Sequence, residues 1–539
     1  MKEKSKVQGF ALRLNPKGSK LLKPFTVCLL LTAYCLLLTT DAFGAEKLEL
    51  TLKEAIDIAL KENLSLIEER LTPQISEAEI KVEEGEFDPK LKLQVSESYQ
   101  KSATPYIYYL REGREERTFM SEAGIEGKIN TGATYELKWT NERFKGTSTF
   151  LSLNPYYTSD LTLTATQPLL KGLGKDIQES NLDVARNNLE ISKLRLDDRA
   201  SQIIADTTKA YWDLISARDE LEVAELSLRL AKTLLDEAKA RIEAGVLAPV
   251  EIYKAEAEVA LREEALLRSR KLISDAEDRL RVTMNLREWH KEIVPVERPP
   301  EPSELPLVES ALNTAISNRK DLRQARIEKR NKEILRKFYG NHQLPDLSIV
   351  GSTGLNGLNG NYSDTLDKLG SGDYYSWEVG VSLTIPIGNR TAKGNMLKAK
   401  YDEEKADISL KALEQKITAE VREAWRLLHL TSESITATKK TRIASEKRLE
   451  AEEGRFRVGM ATMNDVLKFQ EEYARSVSSE KKARTDYAKA IVEFERAKGT
   501  LGQSTPAVIP SEALNHLVQG EARNLLSNDE IASSLRSSQ

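Results

Sequence analysis

Positions 203, 207, 210, 214, 217, 221, 224, 228, 231, 235, 238 and 242 step alternately by four and three and read Ile, Thr, Ala, Leu, Ala, Leu, Ala, Leu, Ala, Leu, Ala, Ile. A seven-residue apolar repeat held this long commits the segment to a helix that supercoils left-handedly against its neighbours. Ala at every other seam position lets a neighbouring helix approach more closely than a Leu-only seam would. No Pro or Gly interrupts residues 178–244, so the helix reaches about 100 Å at 1.5 Å per residue. A turn at Gly245 to Pro249 then sends a second helix, about 250–285, back alongside it.

The same plan is written a second time. Arg241-Ile-Glu-Ala-Gly245-Val-Leu-Ala-Pro-Val-Glu251-Ile-Tyr-Lys254 matches Arg455-Phe-Arg-Val-Gly459-Met-Ala-Thr-Met-Asn-Asp465-Val-Leu-Lys468 at an offset of 214. At that offset Ala210, Tyr211 and Leu214 meet Ala424, Trp425 and Leu428. Near the start of each copy, the stretch from Leu50 to Ala59 resembles that from Leu305 to Ala315. These matches predict an internal duplication. The first repeat spans 45–298, with strands at about 88–168 and a helical hairpin at about 178–286. A Pro-rich linker, 299–304, leads to the second repeat at 305–502, with strands at about 344–386 and a hairpin at about 398–501. The second seam is more polar, with Thr431, Thr438 and Ser445.

Before each hairpin the period drops from seven to two. Leu91, Leu93 and Val95 alternate with Lys92, Gln94 and Ser96, and Leu161, Leu163 and Ala165 with Thr162, Thr164 and Thr166. In the second copy Trp377, Val379, Val381, Leu383 and Ile385 alternate with polar residues or Gly, and Leu347-Ser348-Ile349 is a shorter match. Segments 123–129 and 133–139 alternate around Asn130-Thr131-Gly132, so the chain offers four or six strands. Extended to about 9 to 11 residues, such strands cross a bilayer when tilted. Tyr99, Tyr106, Tyr108, Tyr109, Tyr156, Tyr157, Tyr374, Tyr375 and Trp377 sit near strand ends, where an interfacial girdle belongs. Four or six strands cannot close a barrel alone, and open edges are not tolerated in lipid. Strands that span a membrane therefore require several chains to share one barrel; the other reading is a small soluble sheet packed on helices.

Seven Lys and Arg residues between Lys2 and Lys23 run into the apolar stretch from Phe25 to Leu38. That is the layout of a signal peptide, residues 1–44, with Ala42 and Gly44 as the small residues of a cleavage site. Its 14-residue apolar core is short for a membrane-spanning helix. Tyr34 before Cys35 argues against lipidation. Both cysteines, Cys28 and Cys35, lie in this segment, so disulfides, thiol catalysis and Cys-ligated metals drop out of the mature chain. Removing residues 1–44 leaves a net charge of −9, without the basic face that nucleic acid requires. The mean hydropathy of −0.46 over 539 residues excludes a polytopic helical membrane protein. Residues 503–539 form a polar C-terminal segment, equatorial or disordered.

Nothing points to an enzyme, a cofactor or a metal. His290, His342, His429 and His516 are scattered, and although Asp346, Glu433 and Glu512 each lie four residues from one of them, no third ligand joins. Gly351, Gly354, Gly357 and Gly360 read as an external loop at a barrel rim, because no phosphate-loop Lys-Ser/Thr follows them.

In the order and duplication of these parts the chain resembles the TolC-like outer-membrane efflux and secretion channel family. The resemblance rests on the strand-to-helix corners around Pro168 and Pro386, the segment from Ala210 to Leu214, and the two Gly-centred hairpin tips. It implies a mainly α fold with a transmembrane β-barrel, assembled as a homotrimer in which a 12-stranded barrel continues into a tunnel of long helices, together a trimeric α/β barrel. It also implies an exit duct in the outer membrane with its helices in the periplasm. The implied partners are outer-membrane lipid, a periplasmic adaptor protein and an inner-membrane pump of RND, ABC or MFS type, which holds the energy source.

The family closes its periplasmic end with the inner hairpin of the second copy. Matched residue by residue around Gly459, its first acidic ring position falls on Asp465, while the second falls on Lys468, a departure. Its aromatic and basic gate positions fall on Phe456 and Ala461. Asp shortly after a turn and at a helix start also reads as a cap. Lys468, one turn on, is placed to pair with Asp465 or Glu471 and quench the ring's field. Gly245, Glu251 and Lys254 hold the matching places at the outer tip, where the family contacts its adaptor. The reading from a different class is a periplasmic coiled-coil structural or adaptor protein without a pore.

Overall fold

The computed structural model describes residues 47–103 and 114–502. The signal segment with both cysteines, Tyr106, Tyr108, Tyr109, His516 and the C-terminal segment lie outside the described residues. Among those described, no helix is long and apolar enough to cross a membrane.

Strand β1 (Lys47–Leu50) pairs with β6 (Glu292–Pro295) in a two-stranded sheet; residues 47–49 and 288–294 make up a small unit of their own. Helix α1 (Leu52–Glu62) starts on a capping box in which Thr51 and Glu54 satisfy each other's backbone N–H groups. Helix α2 (Leu64–Glu84) is capped by Asn63. Four antiparallel strands follow: β2 (Lys90–Ser102), β3 (Arg114–Lys128), β4 (Thr134–Gly146) and β5 (Tyr156–Pro168). Helices α3 (Ser180–Glu243) and α4 (Glu251–Met284) form the first hairpin. The second half contains α5 (Val308–Asn318), α6 (Lys320–Asn341), β7 (Asp346–Asn359), α7 (Tyr362–Ser371), β8 (Tyr375–Thr384), α8 (Arg390–Arg457) and α9 (Met463–Lys498). At 64 and 68 residues, α3 and α8 are about 96 and 102 Å long.

The seam of α8 follows a four-three step, with the half-buried Thr438 and Arg442 filling the interval between Ile435 and Ser445. Ile417, Val421, Ala424, Leu428, Thr431, Ile435, Ser445, Leu449, Glu452 and Phe456 are buried on it. The buried Thr431 hydroxyl donates to the Leu427 carbonyl one turn back, 2.9 Å, so a polar seam residue does not leave an orphan donor. On α3 the small seam residues Ala224, Ala231 and Ala238 are buried, whereas Leu221, Leu228 and Leu235 are half-buried.

Duplicated aromatics hold the chain near the start of each repeat. The Tyr211 hydroxyl donates to the Leu50 carbonyl at 2.9 Å and accepts the Val296 and Glu297 amides. Its counterpart Trp425 donates its indole N–H to the Pro306 carbonyl, also at 2.9 Å.

The six long strands form one sheet in the order β2-β3-β4-β5-β7-β8. The expectation of a 12-stranded trimeric barrel needs four strands per chain; among the described residues the sheet has six, because the segments flanking Asn130 extend into two full strands of 15 and 13 residues. The registers align Leu93, Ala123, Trp139, Leu161, Leu355 and Tyr375 in one row across the sheet. Glu126 and Glu136 face each other on the opposite, polar side.

A correction concerns the glycine-rich stretch. Gly351, Gly354 and Gly357 belong to strand β7 and not to an external loop. A Cβ on Gly357 would stand 2.2 Å from the Thr365 carbonyl, so this glycine lets α7 lie directly on the sheet.

Candidate functional site

The two hairpin tips are built alike. In the first, the Val246 N–H reaches back to the Arg241 carbonyl at 2.9 Å and Gly245 to Ile242 at 2.9 Å; in the second, Met460 reaches Arg455 at 2.8 Å and Gly459 reaches Phe456 at 3.0 Å. These paired bonds form the Schellman motif, which needs a left-handed residue. Gly245 and Gly459 supply it with φ of 73° and 78°.

The tips pack on one another. Leu234, Ala238 and Ala255 from the first hairpin share a core with Phe456, Met463 and Val466 from the second, with Ala461 half-buried beside them. Phe456 is only 2% exposed, so the aromatic expected at a gate lies beneath the tip. Arg241 reaches across from the first hairpin: its guanidinium stands 4.3 Å from the Phe456 ring centre and donates to the Phe456 carbonyl at 2.8 Å. Sequence spacing could not pair residues that lie 215 apart on different hairpins.

Asp465 forms a capping box with Thr462. Its carboxylate accepts the Thr462 N–H at 3.0 Å and hydroxyl at 2.6 Å, while its own N–H donates to the Thr462 hydroxyl oxygen at 3.3 Å. The side-chain and backbone hydrogen bonds from Thr462 hold the Asp465 carboxyl below its ordinary range, with Arg455 and Lys468 adding to the effect. Lys468 is exposed, with its ammonium 6.0 Å from the Phe469 ring centre. Among the described residues no ion pair joins it to Asp465 or Glu471; Glu471 bonds Arg475 instead. At the first tip Glu251 and Lys254 form an ion pair of 2.8 Å.

Around both tips stand large apolar side chains that sequence reading did not single out. Val246, Val250 and Tyr253 are 72%, 60% and 69% exposed on the first tip, and Val458 and Met460 are 69% and 72% exposed on the second. Their signal in the sequence was the turn itself, where Val246 and Met460 directly follow the left-handed glycines.

The corner residues sit elsewhere. Pro168 ends β5 opposite Ser348, and Leu169 donates to the Leu347 carbonyl at 2.7 Å. Pro386 follows β8, and Asn389 beyond it donates to the Gln343 carbonyl at 2.9 Å. Both corners therefore rest on the α6–β7 junction. His342 bonds the Phe338 carbonyl and His429 pairs with Glu433; among the described residues no three acidic, His or Cys side chains gather as a metal site.

The family model described as outer membrane efflux protein matches residues 55–286 and 311–500. The chain belongs to the outer membrane efflux protein family. The outer membrane protein TolC of Vibrio cholerae is 26% identical over 336 residues, 60% of this chain and 73% of the relative. TolC of Escherichia coli K12 is 23% identical over 359 residues, 62% and 71% of the two chains. Among solved structures, the outer-membrane channel OprN superposes with a TM-score of 0.63 at 17% identity, covering 83% of this chain and 89% of that one. The Campylobacter jejuni CmeC outer membrane channel gives 0.61 at 16% identity, covering 87% and 89%. An outer membrane efflux protein is an outer-membrane channel protein with its helical part in the periplasm.

Proposed function

We propose that the chain is the exit duct of a tripartite efflux or type I secretion system and passively conducts substrate from periplasm to exterior through a homotrimeric pore. The observation that carries this reading is the sheet. It has one apolar face and one polar face, and its outermost strands β2 and β8 are exposed along nearly their whole length. Only copies of the chain that share strands remove those edges in lipid. The long hairpins then prolong the barrel as a periplasmic tunnel, with the tips at its far end.

Three-fold symmetry gathers three Asp465 carboxylates, ionised and fixed by their caps, at the constriction of the inner tips, with Lys468 opposing their field. The contact between Arg241 and Phe456 holds inner tip to outer tip and keeps the constriction shut. A periplasmic adaptor docks on the apolar rim formed by Val246, Val250, Tyr253, Val458 and Met460, and an inner-membrane pump supplies the energy.

The test is fractionation followed by native mass spectrometry of the detergent-extracted protein. Outer-membrane partition and a mass of three chains support the reading. A soluble periplasmic species overturns it in favour of a coiled-coil structural or adaptor protein.

A further inference from the structure

We infer that the barrel wall contains eighteen strands, six from each of three copies, with β2 of one copy paired antiparallel to β8 of the next and the β3–β4 hairpin built into the wall. The inference rests on the trimeric channel reading above and extends it to the bore of the pore.

The hairpin is not an appendage. Strand β3 pairs with β2 from Lys90↔Glu126 to Ser102↔Arg114, and β4 pairs with β5 from Thr134↔Thr166 to Phe144↔Tyr156. A wall that runs from β2 to β5 therefore passes through both strands of the hairpin. The hairpin also carries the wall's two-faced pattern. Ile125 and Leu137 continue the apolar row of Leu91 and Leu163, while Glu122 and Lys138 point to the polar side with Lys92 and Thr162.

The two free edges fit a second copy. Both are long, β2 with 13 residues and β8 with 10, and neither contains Pro, one of the features by which exposed edges are blunted. Their apolar residues Leu91, Leu93, Val379 and Val381 are each 69% exposed on the same side. Five antiparallel steps separate β2 from β8, so the two strands run in opposite directions and the next copy's β2 meets β8 antiparallel. Six strands fall short of the roughly eight that the smallest barrels use. Diameter grows about linearly with strand number, so eighteen strands give a bore about 1.5 times as wide as twelve, and about twice the cross-section.

The test combines two readouts on the full mature chain in lipid nanodiscs. Electron cryomicroscopy counts the strands. Since the chain contains no cysteine beyond Cys35, single substitutions Ile125→Cys, Leu137→Cys, Glu122→Cys and Lys138→Cys report each face of the hairpin through a water-soluble maleimide. The inference expects a three-fold particle with eighteen strands, labelling at 122 and 138, and loss of labelling at 125 and 137. A three-fold particle with twelve strands and a hairpin labelled on both faces overturns the eighteen-stranded wall and leaves the trimeric channel standing. Failure to form any membrane-inserted oligomer overturns the channel reading itself.

Discussion

At the scale of single residues, the tips combine a cross-hairpin contact and a cap. Arg241 holds the second tip through a hydrogen bond and a ring contact that both end on Phe456. Arg241→Ala removes both while leaving the Schellman turn intact, and the expected outcome is a larger open fraction in single-channel recordings. An unchanged open fraction would show that the contact does not restrain the gate. Thr462→Ala removes the hydroxyl that caps α9 and lowers thermal stability by about 1 kcal/mol. The Asp465 carboxyl is held below its ordinary value by those same Thr462 bonds. Its contribution to folding is therefore complete above the unfolded carboxyl value of about 3.9 and is lost as pH falls through the lower folded value. Gate behaviour near neutral pH should not depend on titration of Asp465, and a conductance step near pH 6 that disappears in Asp465→Asn would contradict this.

At the scale of elements, cross-helix contacts decide which segments move together. Asp407 on α8 meets Lys329 on α6 and Lys411 one turn along, each at 2.7 Å. The hydrogen bonds from these two lysines lower its carboxyl to about 2. With the folded value depressed, the stabilisation is present above about pH 4 and is lost between about pH 4 and pH 2. Asp407→Asn should flatten the acid-unfolding curve in that window, followed by circular dichroism of the solubilised chain. Tyr211 is a second such joint, fully buried and shared by three backbone groups. Tyr211→Phe leaves the Glu297 amide without its hydroxyl partner, while the Val296 amide and the Leu50 carbonyl still bond each other at 3.2 Å; an orphaned buried group costs about 1–3 kcal/mol, so the melting temperature should fall below that of Tyr99→Phe, which changes an exposed side chain. The helices were legible because the four-three step of α3 and α8 is a long, local signal. Strand β7 was legible only at Leu347 to Ile349, since the glycines that follow imitate a loop and the use of Gly357, the approach of α7, is a tertiary contact. The partnership of Arg241 with Phe456 was equally invisible, because it joins two hairpins and follows no spacing along either.

At the scale of the whole molecule, the family membership and the sheet with its open edges lead to the same account. An outer membrane efflux protein whose described residues hold a six-stranded sheet has two strand edges that lipid does not tolerate, and the proposed assembly pairs them with copies of the chain, which match them in direction and facing. Single-channel conductance of the purified mature chain in planar bilayers tests this most directly. The account predicts discrete steps of uniform size, with cation selectivity that weakens in Asp465→Ala. Protein that remains soluble and never inserts, at any concentration at which it self-associates, would contradict it.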